Sequence, residues 1–290
     1  MNVVHTIDQC RHTRGEFGPL ALVPTMGALH AGHLALIDEA KRRAPHVAVS
    51  IFVNPTQFGP KEDFNKYPRP IESDLAKCQE KGVDFVFHPT PHEMYPPGQP
   101  DVVVDLPQLT SVLEGKHRLG HFKGVCQVVA KLFNIFRPDV ALFGQKDFQQ
   151  LRVLSGMAEA LNWPIQIVGV PTVREPDQLA MSSRNQYLAP EERQRALAIP
   201  RALFAARDEV KAGVRQTNRL ITTMQKILLD VGAPGTALGR IPVSIDYIAA
   251  IDPMTLKHAE AVDGPVVLAI AARVGMTRLI DNLVVDAKIQ

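Results

Sequence analysis

Five short apolar runs, separated by stretches of helical periodicity, constrain the fold of this chain more than any other feature. Leu20–Val23, Val47–Val53, Val83–Phe87, Val140–Phe143 and Ile165–Val170 read as buried strands. The later ones are each preceded by a helical pattern, such as Ile71–Lys81, Val125–Phe136 or Phe148–Leu161. Strands that alternate with helices pair in parallel, because each connection crosses back over the sheet. The expectation is therefore an α/β chain built on a doubly wound parallel sheet, Rossmann-like in type. In such sheets ligands collect at the carboxyl ends of the strands, so the residues just past each run carry the chemical information.

The stretch after the first run is Val23-Pro-Thr-Met-Gly-Ala-Leu-His-Ala-Gly-His33. Pro24 ends the strand pattern, Gly27 and Gly32 allow a tight turn, and Leu34 and Ile37 begin a helical spacing. A helix opening near Gly32 presents unpaired N–H groups and the positive end of its dipole, to which His30 and His33 add donors. A triphosphate suits such a turn. The same spacing also suits a plain helix cap or half of a metal site, although no Cys or His cluster supplies the remaining ligands of a zinc ion.

Further polar groups follow the other runs. Asn54-Pro-Thr-Gln57-Phe58 follows the second, Gly144-Gln-Lys146-Asp147 the fourth and Pro171-Thr-Val-Arg174 the fifth. Gln57 and Gln150 are amides able to donate to and accept from a substrate hydroxyl or carboxylate, and Lys146 is a compact cation suited to a phosphate oxygen. Met181-Ser-Ser-Arg184 places two hydroxyls and a guanidinium in a row, either a phosphate clamp or ordinary solvated turn chemistry.

The patterning changes between Ser183 and Pro190, which suggests a larger domain over 1–185 and a smaller α/β domain over 186–290. In the smaller one, helical patterns at Glu191–Asp208 and 216–231 lead through Gly232-Ala-Pro-Gly235 into three candidate antiparallel strands, Val243–Ile251, Val266–Ala272 and Arg278–Leu283. This domain is expected to close over a nucleotide.

Composition narrows the function classes. A chain of 290 residues with 46% hydrophobic content can bury a large core, and a formal charge of +2 with dispersed basic residues argues against nucleic acid. Met1–Arg14 holds no apolar signal-like core, and no later run approaches the ~20 apolar residues of a membrane span, so a cytoplasmic, membrane-free protein is expected. Cys10, Cys78 and Cys126 form no motif and read as small buried hydrophobes.

Taken together, Pro24-Thr-Met-Gly-Ala-Leu-His-Ala-Gly-His33, Ile51-Phe-Val-Asn-Pro-Thr-Gln-Phe58, Gly144-Gln-Lys-Asp-Phe-Gln-Gln150 and Met181-Ser-Ser-Arg-Asn185 resemble the pantoate–β-alanine ligases, or pantothenate synthetases. The likeness runs from Val23 to Asp281-Asn282. More broadly, His-x-Gly-His with a later Ser-Ser-Arg loop is similar to the signatures of class I aminoacyl-tRNA synthetases and related nucleotidyltransferases. The resemblance implies ATP-dependent condensation of pantoate with β-alanine to pantothenate, AMP and pyrophosphate through a pantoyl-adenylate, with Mg²⁺ on the phosphates and a homodimeric assembly.

It further implies that Met26, Gly27, Ala28, Leu29, His30, Ala31, Gly32, His33, Gly144, Gln145, Lys146, Asp147, Val173, Met181, Ser182, Ser183 and Arg184 hold ATP. Gln57 and Gln150 then contact pantoate, with Gln57 also reaching β-alanine. His30, His33 and Lys146 carry the chemistry, His33 at the position of a proton donor. Asn54, Arg118 and His121 fall at substrate-site positions, and Asp74 at a possible metal contact. The sequence departs from the family at Gln145, where Glu is common, and at Gln178, where Gly is common. Two other classes stay open on the residues: a nucleotidyltransferase acting on another acceptor, and a catalytically silent nucleotide-binding protein.

Overall fold

A computed structural model describes residues 1–60, 62–230 and 241–288. The chain forms two compact units, one of Met1–Gln145 with Gln149–Thr172, the other of Lys146–Phe148 with Val173–Gln290. The expected boundary at 185/186 thus moves to 172/173. The reason is that the segment beyond Val173 makes its bonds within the second unit, above all through an Arg174–Asp281 ion pair.

The first unit is the expected doubly wound sheet. Its six parallel strands are β1 (Asn2–Val4), β2 (Leu20–Thr25), β3 (His46–Ile51), β4 (Phe85–Phe87), β5 (Val140–Gly144) and β6 (Gln166–Val170), in the order β1-β4-β3-β2-β5-β6. β2 is central and buried on both faces, which is why it reads as a continuous apolar run rather than an alternating one. Ala21 and Val23 join Ile37, Ala40, Val49 and Leu142 in one core layer. On a pleated strand Leu20 and Leu22 therefore face the opposite layer, where Phe85 and Phe87 pack face and edge against Phe136.

Winding starts at β2 and proceeds outward in both directions, through β3 and β4 on one side and β5 and β6 on the other. The point of reversal lies between β2 and β5. These two strands pair only at Ala21 with Val140 and Leu22 with Ala141, so their carboxyl ends are not bonded to each other. In open α/β sheets a ligand crevice opens at such a point.

β1 and the helix Ile7–Gly15, capped by Thr6 and Gln9, lie outside the elements that periodicity predicts. A three-residue edge strand is too short for a period to show. Elsewhere the helices Ile71–Glu80, His121–Phe136 and Phe148–Ala160 lie where the patterns place them, the second starting four residues early, behind Gly120.

The second unit carries an antiparallel sheet of β7 (Val243–Ile251), β8 (Val266–Val274) and β9 (Thr277–Val285). Helices Ala198–Lys211 and Thr217–Asp230 share a core with it that includes Leu203, Leu220, Met224, Leu268 and Ile270. The single helix expected over Glu191–Asp208 is instead two, Pro190–Ala196 and Ala198–Lys211. Pro200 lacks the N–H that would bond Ala196 and its ring crowds that carbonyl, so a continuous helix cannot pass. The Gly232–Gly235 turn and the last residue of the 216–231 pattern lie outside the described residues.

Cys10, Cys78 and Cys126 are free, fully buried thiols, each pushed up to about 12 by burial. Thiolate is thus scarce at ordinary pH. The folded protein should resist alkylation at pH 8 and release its three thiols to reagent only in denaturant. Stoichiometric labelling of native, active protein would contradict this packing. Cys78→Ser should leave turnover nearly unchanged.

Candidate active site

The turn after β2 is built around a buried carboxylate. Gly27 sits at φ 82° and Ala28 at φ 51°, so two successive residues adopt the left-handed region. This curls the backbone into a concave nest of N–H groups. Asp74, only 1% exposed, fills that nest from the helix Ile71–Glu80: Oδ2 accepts from the Ala28 N–H and Oδ1 from the Leu29 N–H, both at 2.7 Å. One helical turn on, Lys77 Nζ donates to the Leu29 carbonyl at 2.7 Å. Gly27 is required by its φ and by space, since a Cβ there would lie 3.0 Å from Asp74 Oδ2.

Asp74 is therefore a scaffold of the turn, with both its oxygens committed to backbone N–H groups.

The two histidines follow at the mouth of the helix Ala31–Arg43. His30 is the N-cap, its Nδ1 accepting from the Gly32 N–H at 3.2 Å, while His33 Nδ1 accepts from the His30 N–H at 3.3 Å. The rings lie 4.1 Å apart. The cap reading and the functional reading are thus compatible, because a ring that accepts at Nδ1 is the Nε2–H tautomer and keeps a donor at its far edge. The N–H groups of Gly27, Ala28, Leu29, His30 and Gly32 all bond within the protein, so these five are committed to the turn itself.

Past β3, the Asn54–Gln57 turn is pressed against the helix His121–Phe136. Gly124 makes this approach possible, since a Cβ there would lie 2.2 Å from the Thr56 carbonyl oxygen. Asn54 is wholly buried and spends its amide on Gln57 Oε1, the Gly124 carbonyl, Thr56 and Tyr95. Asn54 accordingly has no capacity left for a substrate. Instead, its bond to Gln57 Oε1 at 3.0 Å fixes which way the Gln57 amide faces, turning the Nε2 donors away from Asn54.

A second chain of contacts holds the Gln57 backbone. Glu62 grips Arg118 with two bonds of 2.7 Å, Arg118 Nη1 lies 3.0 Å from His121 Nε2, and His121 Nδ1 lies 2.8 Å from the Gln57 carbonyl. Since a carbonyl only accepts, His121 must carry its proton on Nδ1, leaving Nε2 to accept from Arg118. Burial and the Arg118 charge lower His121 to about 4. Burial of Glu62 works against its charge, but the Arg118 pairing holds it below the usual carboxylate range. Arg118 and His121 thus brace Gln57.

In the Gly144–Gln150 motif the two adjacent amides divide their tasks. Gln149, 6% exposed, pins the Leu109–Glu114 backbone through three bonds. Gln150 is half-buried and its side chain makes no hydrogen bond to another described residue. Gly144 ends β5 at the point of reversal, and Gln145 opens the short helical turn Gln145–Asp147. Lys146, at the start of the second unit's share of the chain, is 20% exposed with Nζ 3.8 Å from Asp147 Oδ2.

Val173, Met181, Ser182, Ser183 and Arg184 belong to the second unit. Val173 to Met181 is a hairpin, closed by Met181 N–H on the Val173 carbonyl at 2.9 Å and by a turn with Pro176 at its first central position. Gln178 follows at φ 73°. A turn followed by a left-handed residue is a standard hairpin closure, and it explains why glycine suits this position. Ser182 caps the helical turn Ser183–Tyr187, and Asn185 ties that turn to Glu175 and to the Ala180 carbonyl. Arg174, expected among the ligand-facing groups, is instead bound to Asp281 and the Gln178 carbonyl.

A neutral buried His121 makes stability depend on pH. Its folded value lies below the ~6.5 of an unfolded histidine, so the unfolded chain takes the proton first. The contribution is complete above pH ~6.5 and is lost as pH falls toward 4, at about 1.4 kcal/mol per unit. His121→Asn, which keeps a donor near the Gln57 carbonyl, should show a shallower loss of urea midpoint between pH 7 and 4.5. Equal slopes in the two proteins would refute the assignment.

Comparison with known proteins points the same way. The model of the pantoate-beta-alanine ligase family matches residues 2–284. The pantothenate synthetase of Thermobifida fusca (strain YX) is 50% identical over 287 residues, covering 97% of this chain and 94% of its own length. A crystal structure of pantothenate synthetase from Thermus thermophilus superposes with a TM-score of 0.89 at 43% identity, covering 98% of this chain and 99% of that one. The pantoate-beta-alanine ligase from Francisella tularensis, crystallised with beta-gamma ATP and beta-alanine, superposes with a TM-score of 0.79 at 29% identity over 98% of this chain and 97% of that one. With the sheet, its point of reversal and all four motifs in place from end to end, the chain belongs to the pantoate–β-alanine ligase family.

Proposed function

We propose that this chain joins pantoate to β-alanine through a pantoyl-adenylate, with ATP as the source of the activating group. ATP-dependent pantoate–β-alanine ligation is the reaction of its family. The observation that supports the stepwise reading is the pairing of fixed imidazoles after β2 with a buried, braced Gln57 amide after β3. One group serves phosphates, the other a small hydroxy acid, and they follow neighbouring strands.

In the first half-reaction a pantoate carboxylate oxygen attacks the α-phosphorus of ATP and pyrophosphate leaves. Little covalent work falls to the protein, so its task is to align the reactants and neutralise developing charge. Gln57 and Gln150 hold pantoate. His30 and His33 donate from Nε2 to phosphate oxygens, and Lys146, Ser182, Ser183 and Arg184 bind the rest of the triphosphate, with Met26–Leu29, Ala31, Gly32, Gly144, Gln145, Asp147 and Val173 shaping the nucleotide's surroundings. His33 would follow the departing pyrophosphate oxygen with a hydrogen bond, the role that the resemblance gives it. In the second half-reaction the neutral amine of β-alanine attacks the acyl carbon, the C–N bond forms, the acyl C–O bond to AMP breaks so that AMP leaves, and the nitrogen gives up one proton to water.

Mg²⁺ is part of this proposal. Such ions keep several waters and bind through substrate phosphates and one or two carboxylates. Half-exposed Asp147 beside Lys146 fits that requirement and would join the ion, whose contribution is to offset charge on the phosphates. We further propose a homodimer acting in the cytoplasm, supported by the resemblance and by the three unpaired thiols. No helix among the described residues is long and apolar enough to cross a membrane.

Labelled pyrophosphate should exchange into ATP only when pantoate is present, with β-alanine absent, and adding β-alanine should give pantothenate and AMP in equal amounts. Exchange that requires β-alanine would eliminate the adenylate route. His33→Ala or Lys146→Ala should slow exchange on the order of 10²-fold with the fold retained, the loss expected on removing one preorganised donor. Near-normal exchange in either folded variant would remove that residue from the phosphate site.

A further inference from the structure

Lys146 is held by the far end of the chain. Its carbonyl oxygen accepts from Asn282 Nδ2 at 2.7 Å, and Asn282, 7% exposed, lies on β9 in register with Ala269 of β8. The residue before it, Asp281, is 2% exposed and accepts from the Asn282 N–H at 2.8 Å. Asp281 also takes a two-pronged grip from Arg174, at 2.7 and 3.0 Å. Arg174 in turn donates to the Gln178 carbonyl at 3.0 Å, and its guanidinium stacks 5.1 Å from the Phe204 ring centre. One buried ion pair therefore reaches two places at once: the backbone of Lys146, and the hairpin that ends at Met181 and leads into Ser182–Arg184.

We propose that Asn282 is a positioning residue for Lys146, and that Asp281 and Arg174 hold Asn282 and the Val173–Met181 hairpin in a common register, so that the lysine and the Ser182–Arg184 segment are placed by one shared anchor. The proposal rests on the reading of Lys146 as a phosphate-binding group. A lysine has four rotatable side-chain bonds and no planar fork, so the precision with which its ammonium meets a phosphate oxygen depends on how firmly its backbone is fixed. The short helical turn at Gln145–Asp147 does not supply that by itself. A hydrogen bond from a buried amide on a strand paired along its length to β8 does. Asn282 never needs to touch a substrate to act in this way.

The test is a double-mutant cycle on pantoate-dependent pyrophosphate exchange, using the full chain with ATP, Mg²⁺ and pantoate. Asn282→Ala should lower the exchange rate by roughly 10-fold or more, the scale of a displaced catalytic group, while the KM for pantoate stays within about twofold. In the Lys146→Ala background the same substitution should then cost little, because the residue it positions is gone. Equal fold-losses in both backgrounds, or a fall in melting temperature with unchanged exchange, would overturn the proposal. Should Asn282→Ala fail to fold, Asn282→Ser carries the same cycle, since its hydroxyl is too short to reach the Lys146 carbonyl. If Lys146→Ala alone exchanges normally, the phosphate-binding reading fails first, and that result stands apart from the coupling.

Discussion

The site on the first unit depends on a carboxylate that no solvent reaches. Asp74 neutralises nothing outside the protein. It substitutes for an external anion in the nest formed by Gly27 and Ala28, and with Lys77 it fixes both ends of the following peptide. Charge-assisted bonds of this kind contribute about 1.5–3 kcal/mol each. That is ample to hold two residues in the left-handed region, Ala28 included. Once the turn is set, the helix Ala31–Arg43 must begin where it does, and its cap must be His30. The imidazole tautomers follow from the cap, and the donors they present follow from the tautomers.

The same logic recurs wherever this fold prepares a polar group for a ligand. A buried residue with no remaining hydrogen-bonding capacity orients a neighbour that still has some. Asn54 orients Gln57, and His121 and Arg118 brace the Gln57 peptide. Gln149 pins the loop packed against its helix while Gln150, next in sequence, keeps its amide uncommitted. Rigidity at the ligand-facing atom is thus supplied by a layer of saturated groups one step behind it.

Much of the fold is legible in the sequence because parallel strands buried on both faces are hydrophobic throughout, so the runs at Leu20, Val47 and Val140 announce themselves, as does the central antiparallel strand at Val266. Val243–Ile251 is placed to the residue. The three-residue β1 is not, because nothing so short has a period, and periodicity passes over the break at Leu197 although Pro200 signals it chemically. For the site, motif spacing identifies the right loops but not the division of labour within them. Asp74 looks from sequence like any acidic residue in a first helical turn. Its partners are backbone N–H groups 45 and 46 residues away, which carry no side-chain signature. Asn54 and Asn282 are invisible for the same reason: an amide that bonds carbonyls and one that bonds substrates have the same letter. Gln178 is the exception, because a position at φ 73° prefers glycine and the departure can be read in advance.

The consumption of the backbone donors after β2 has a consequence for how such a site can change. A phosphate nest made of peptide groups is the same whatever side chains surround it, so substitution can neither sharpen nor retune it. Here the Ala28 and Leu29 N–H groups are sealed against Asp74, and the recognition proposed above falls to imidazoles, an ammonium and amides. Lys146, Gln57 and Gln150 lie outside that turn and can be exchanged without loosening it, whereas His30 and His33 bond its backbone and are tied to it, so the preference of the pocket can drift at the first three while the sheet keeps its shape.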